Sequence, residues 1–284
     1  MLKLTDIQTI RDLCARHDFT LSKGFGQNFI VNPGVCPKIV EAAGIDENWG
    51  ALEIGPGIGV LTRELAARAG KVVAVEVDER LPALLEETMA GCENFRLVMG
   101  DVLKIDLAGL LQKEFGDMPV AVCANLPYYI TSPILMRLLE EKLPIRQITV
   151  MVQKEAAERI TAAPGTRLAG AISYGVYYYA RPRLLFHVQP GSFYPPPKVT
   201  SSVIQLTVRS RPAVDTPDEA GLFRLVRAAF GQRRKTAANS VAAGLGIEKA
   251  RVLRGLEEAG LPLTARPEQL TLEDFCALQR ALEN

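Results

Sequence analysis

Short apolar runs of strand length alternate with helical stretches through the first half of the chain, and this alternation restricts the fold more than any other feature. The runs cover residues 51–54, 72–76, 95–98, 120–124 and 148–152, with helical patterns over stretches such as 61–68, 81–89 and 134–141. Strands that read as continuous apolar segments are covered on both faces, the condition of a parallel sheet flanked by helices. The spacing therefore predicts a doubly wound α/β domain, which binds ligands beyond the carboxyl ends of its strands. Two later runs, 183–188 and 203–208, follow Pro182 and the Pro195-Pro196-Pro197 cluster and read as antiparallel strands that close the sheet. From about Pro217 the period becomes helical over 222–230, 249–259 and 272–282, broken by Gly244, Gly246, Gly260 and Pro262. That shift predicts a small all-helical second domain, with the boundary placed between residues 1–210 and 211–284.

With 284 residues the chain is long enough for one large domain and an appendage. It holds no apolar run near the roughly 20 residues of a membrane span, and residues 1–16 lack the apolar block of a signal peptide. The expectation is a soluble, cytoplasmic monomer with no membrane partner. The five cysteines lie far apart without CxxC spacing, and His17 and His187 stand alone, so no metal site is expected. Net charge is only +1, but the average hides a gradient from −8 over residues 40–158 to +9 over residues 159–247. No Asp or Glu occurs from Arg159 through Val214, whereas ordinary surfaces intersperse both signs. A polyanionic partner is the simplest reason for such a stretch.

The loop Glu53-Ile54-Gly55-Pro56-Gly57-Ile58-Gly59 follows the first strand and opens a helix. Its glycines allow a tight turn and close backbone approach to a ligand. A dinucleotide site would place the third glycine where Val60 stands. Glu76 ends the second strand and can accept from both hydroxyls of a ribose; Asp101 follows the third and can accept from an adenine amine. Three carboxylates at three consecutive strand ends suit a nucleoside-bearing ligand without a pyrophosphate.

At this point the sequence resembles the class I S-adenosylmethionine methyltransferases, whose sheet is Rossmann-like with antiparallel closing strands. Asn125-Leu126-Pro127-Tyr128, after the fourth strand, is similar to the signature of members that modify an exocyclic amine. The N6 of adenine is a poor nucleophile because its lone pair is delocalised into the ring. Acceptors at the Asn125 side-chain oxygen and the Leu126 carbonyl would hold its two hydrogens and favour a pyramidal nitrogen aimed at the methyl group. Pro127 stiffens the turn, and Tyr128 offers a ring to an unstacked base.

Further segments narrow the resemblance: Gly26-Gln27-Asn28-Phe29, Gln153-Lys154-Glu155, Phe193 to Val199 with Ser201-Ser202, and Phe230 to Thr236 are similar to the ribosomal RNA adenine N6-dimethyltransferases. The resemblance implies S-adenosylmethionine contacts from Asn28, Ile30, Gly55, Gly57, Glu76, Asp101, Val102 and Asn125, and base stacking from Tyr128 and Phe193. The basic run Arg233-Arg234-Lys235 and the long helical tail look like the KsgA branch, which dimethylates two neighbouring adenosines in a hairpin loop near the 3′ end of small-subunit ribosomal RNA. RNA contacts are accordingly expected from Arg227, Arg233, Arg234 and Lys235, with small-subunit RNA or a pre-ribosomal small subunit as partner. Two competing readings are the Erm branch, which modifies large-subunit RNA, and a non-catalytic nucleic-acid binder that reuses the fold. The latter has no need of an intact Asn-Leu-Pro-Tyr turn.

Overall fold

A computed structural model describes residues 2–21, 27–232 and 234–283. The chain divides into two compact units, one of residues 1–157 with 183–208, the other of 158–182 with 209–284. The division differs from a single boundary at 210, because residues 158–182 group with the helical tail.

In the first unit, α1 (Ile7–Arg16), β1 (Phe29–Ile30) and α2 (Val35–Ala43) precede the main sheet. Then follow β2 (Gly50–Ile54), α3 (Val60–Ala66), β3 (Lys71–Glu76), α4 (Pro82–Thr88), β4 (Phe95–Met99), α5 (Leu107–Phe115), β5 (Val120–Asn125), α6 (Thr131–Glu140), β6 (Ile145–Gln153) and the start of α7 (Lys154–Thr161), whose residues from 158 on belong to the second unit. Later come β7 (Ala180–Val188), which belongs to this unit from residue 183 on, β8 (Phe193–Tyr194) and β9 (Ser201–Val208). The seven-stranded sheet has the order β4-β3-β2-β5-β6-β9-β7. Strands β2 to β6 pair in parallel, and β9 runs antiparallel to β6, with Met151 opposite Val203. Every residue of β2 is buried, and only the first of β3 and the last of β5 are partly open, as strands covered on both faces require. The order reverses at β2, where β3 and β5 lie on opposite sides, so their carboxyl ends frame a crevice. Strands β1 and β8 form a separate antiparallel pair, Phe29 opposite Tyr194 and Ile30 opposite Phe193.

The second unit contains α8 (Ala171–Tyr179), α9 (Glu219–Phe230), α10 (Ala237–Leu245), α11 (Lys249–Glu258) and α12 (Leu272–Glu283). Its centre is Tyr174, fully buried, with its ring 5.2 Å from both Phe230 and Phe275. The Tyr174 hydroxyl donates toward the carbonyls of Pro267 and Leu270 and accepts from the Gly165 N–H, so a polar atom in the core has partners. These contacts explain why α8 folds with the tail. Asp218 and Thr236 cap α9 and α10 through side-chain bonds to the Gly221 and Asn239 N–H groups. At Gly244 an added Cβ would lie 2.6 Å from the Ala228 Cβ, so glycine permits the close crossing of α9 and α10. Among the described residues no helix is long and apolar enough to cross a membrane.

Candidate active site

The carboxyl ends of β2 to β5 meet around one cavity, which encloses about 940 Å³ with its mouth included. Asn28, Ile30, Gly55, Gly57, Glu76, Asp101, Val102 and Asn125 all line it, together with Glu53 and Pro127. Gly26, part of the Gly-Gln-Asn motif, lies outside the described residues. Gly55, Gly57 and Gly59 all have positive φ, at 69°, 57° and 88°, a conformation unfavourable for other residues. A Cβ on Gly55 would enter open space within 4 Å, so its absence leaves room in the cavity, whereas one on Gly57 would press on the Phe29 ring at 3.2 Å.

The three carboxylates are held differently. Glu76 is nearly buried, and its Oε1 accepts from the N–H groups of Val77 and Asp78 at 2.7 and 2.8 Å. Burial nevertheless raises its pKa. Glu53 is 1% exposed, its Oε2 has no hydrogen-bond partner among the described residues, and burial pushes its carboxyl up to about 8. Asp101 accepts from the Leu103 N–H at 2.9 Å and stands 3.4 Å from the Lys104 ammonium. A buried cavity walled by Glu53 and Glu76 favours a ligand that brings positive charge, since each carboxylate raises the cost of ionising the other.

Across the cavity, the Asn125 Nδ2 donates to the Asn28 carbonyl at 3.3 Å. A carbonyl accepts only from the amide nitrogen, so this bond orients the side chain and frees its oxygen as an acceptor. Leu126 is buried, and its N–H donates to the Met151 carbonyl at 3.0 Å, which pins the turn to β6. Tyr128 is half-buried, its hydroxyl 2.8 Å from the Ser201 Oγ, and burial raises its pKa. It does not line the cavity. Phe193, expected to stack on a base, is 3% exposed; it lies in the core with Val188 and Val203 and pairs with Ile30. The two histidines have ordinary partners, His17 on Glu87 and His187 on Ser202.

No role was expected of Tyr129, which is 62% exposed and lines the cavity, or of Gln27, quoted above only as part of its motif, which lines it beside Asn28. A second tyrosine directly after the Asn-Leu-Pro-Tyr turn was the available signal. Asp78, two residues past Glu76, gave no signal beyond its charge.

In the second unit Arg224 and Arg227 are exposed on α9, opposite a face that buries Leu222, Phe223, Leu225 and Val226. They border a groove between α9 and α10 that also exposes Gln232 and reaches Ser240. Arg234 and Lys235 are exposed as well; Arg233 lies outside the described residues.

Known proteins resemble this chain in sequence and in fold. Residues 18–278 match the family model described as ribosomal RNA adenine dimethylase. The Ribosomal RNA small subunit methyltransferase A of Shouchella clausii is 46% identical over 270 residues, 94% of this chain and 91% of that protein. A dimethyladenosine transferase from Plasmodium falciparum superposes with a TM-score of 0.72 at 26% identity, over 88% of this chain and 95% of that one. The 23S rRNA methyltransferase ErmE does so with a TM-score of 0.68 at 27% identity, over 90% of this chain and all of that one.

Proposed function

The chain belongs to the ribosomal RNA adenine dimethylase family, and on that premise we propose that it transfers methyl groups from S-adenosylmethionine to N6 of two adjacent adenosines near the 3′ end of small-subunit ribosomal RNA. The observation that carries this reading is the one cavity that Glu53, Glu76, Asp101 and Asn125 line together. S-adenosylmethionine, when bound, supplies a methyl group made electrophilic by its sulfonium. The residues present fit it: an orphaned buried carboxylate oxygen on Glu53 suits a cationic ligand, and the backbone-held Glu76 carboxylate suits ribose hydroxyls. Asp101 and Val102 border the space for the adenine, and Asn28, Ile30, Gly55 and Gly57 form another part of the wall.

The chain's own part is positional. In the first transfer the Asn125 Oδ1 and the Leu126 carbonyl accept the two hydrogens of the target amine, which withdraws its lone pair from the ring and aims it into the cavity; in the second, one of these acceptors holds the single hydrogen that remains. This acceptance matters most when the nitrogen develops positive charge, so it stabilises the transition state more than the bound ground state. Pro127 and the Leu126 to Met151 bond keep those acceptors in place, and Tyr128, braced on Ser201, supports the extruded base. The amine's proton then leaves to water. RNA backbone contacts come from the helical unit through Arg227, Arg233, Arg234 and Lys235.

A large-subunit substrate is the second reading, favoured by the likeness to ErmE. Labelled methyl transfer to unmodified small-subunit and large-subunit particles, with the product nucleosides mapped, separates the two. Dimethyladenosine on the small-subunit RNA alone is expected; label on the large-subunit RNA alone would reverse the assignment.

A further inference from the structure

Asp78 lies where the chain leaves β3 and is 3% exposed. Its N–H donates to the Glu76 Oε1 at 2.8 Å. Its own carboxylate accepts from Arg80 three times: Oδ1 from the backbone N–H at 3.1 Å and from Nε at 2.8 Å, Oδ2 from Nη2 at 2.7 Å. The Oδ2 also accepts from the Gln27 Nε2 at 2.8 Å. Arg80 continues outward, with Nη1 on the Thr20 carbonyl at 3.1 Å and its guanidinium 4.9 Å from the Phe19 ring centre. The next residue after Gln27 is Asn28, whose carbonyl receives the Asn125 amide.

We infer that Asp78 is a positioning residue that fastens the segment orienting Asn125 to the strand end carrying Glu76, so that one buried carboxylate aligns both the cofactor-holding and the methyl-accepting sides of the cavity. This rests on the reading of that cavity as the S-adenosylmethionine site. A purely structural ion pair needs only Arg80. Here the second partner of the carboxylate is Gln27, itself a wall of the cavity, and the Asp78 backbone holds the first. The Arg80 hydrogen bonds keep the Asp78 carboxyl below its ordinary range, so it stays ionised and keeps its full accepting capacity. Partners one step removed from a site fix the geometry of the groups that touch the ligand, and a small displacement there is costly.

The test uses Asp78→Asn in the full chain, which keeps the shape but removes the charge and one accepting oxygen, with Arg80→Lys as a milder second variant. Calorimetry with S-adenosylmethionine gives affinity; single-turnover methylation of small-subunit RNA at saturating cofactor and RNA gives the rate. By analogy with other outer-shell partners, about tenfold weaker cofactor binding and about tenfold slower turnover at saturation are expected together. Arg80→Lys should show a smaller loss of the same two quantities, in the same ratio. Loss of affinity alone, or of rate alone, overturns the coupling. So does a lowered melting temperature with wild-type affinity and rate in the folded fraction, which would leave Asp78 an ordinary structural pair. If Asp78→Asn does not fold, Arg80→Lys decides on the same criteria. Failure of the unaltered protein to bind S-adenosylmethionine is a separate result, and it would overturn the functional reading instead.

Discussion

The two units handle charge in opposite ways. The first gathers Glu53, Glu76 and Asp101 around one cavity, where burial raises the pKa of the first two and backbone hydrogen bonds hold Glu76 and Asp101 in place. The second sets Arg224, Arg227, Arg234 and Lys235 in solvent, with the α9 pair opposite a buried apolar face. Buried charges act through geometry and are sensitive to single atoms; exposed charges act through summed potential and are screened by salt. The difference teaches where chemistry and grip should separate: substitutions in the cavity should change affinity or rate without regard to salt, and those on the helical unit should change the salt dependence.

The largest expected effect is that of Asn125→Ala. Losing one oriented acceptor should lower the single-turnover rate by about 10²-fold or more, with cofactor affinity nearly unchanged. A wild-type rate would remove Asn125 from the chemistry and break the comparison at its centre. Glu76→Ala should come next, weakening S-adenosylmethionine by about one to two decades, as expected for a charged hydrogen-bond partner. Unchanged affinity in a calorimetric titration would move the ribose site elsewhere.

How much of this could be read from the chain depended on whether a residue's role was written in its neighbours. The parallel strands were legible because burial on both faces leaves uninterrupted apolar runs, as in residues 72–76 and 120–124. The glycine loop and the Asn125 turn were legible because strand ends are where such motifs bind. Helix α8 was not: AISYGVYYY is apolar on nearly every side, so it carries no helical period, and a helix buried all round resembles a strand until its partners are known. The grouping of residues 158–182 with the tail was not legible for the same reason, since Tyr174 is tied to Phe230, Phe275 and the carbonyls near residue 270, far along the chain. Phe193 illustrates a third limit. Its place in the core beside Val188 and Val203 was not legible, because the two-residue ladder of β1 with β8 on which it sits has no sequence period.

A smaller effect sharpens the contrast on the helical side. Replacing Arg234 and Lys235 by alanine should flatten the log–log dependence of RNA affinity on salt by about 0.7 to 0.9 for each phosphate that these side chains neutralise. A lowered melting temperature with an unaltered slope would mean that their stems serve packing instead. The smallest effect concerns stability. Folded Glu53 keeps its proton up to about pH 8, whereas an ordinary glutamate loses it near 4.5, so stability should fall as pH rises through that window. Glu53→Gln should flatten this part of a melting temperature against pH curve; parallel curves would show that Glu53 does not titrate there.

The central claim, that chemistry resides in the carboxylate-lined cavity and RNA grip in the exposed cations of the helical unit, is tested most directly by one measurement. Arg227, Arg233, Arg234 and Lys235 are replaced together by alanine, and the single-turnover rate of methyl transfer is followed as small-subunit RNA is raised to saturation at fixed, saturating S-adenosylmethionine. The account predicts that the curve shifts to higher RNA concentration and reaches the unaltered plateau, because those side chains contribute binding that is equal in the ground and transition states. A plateau lowered in a protein that remains folded would contradict it, and would place part of the catalytic machinery in the helical unit.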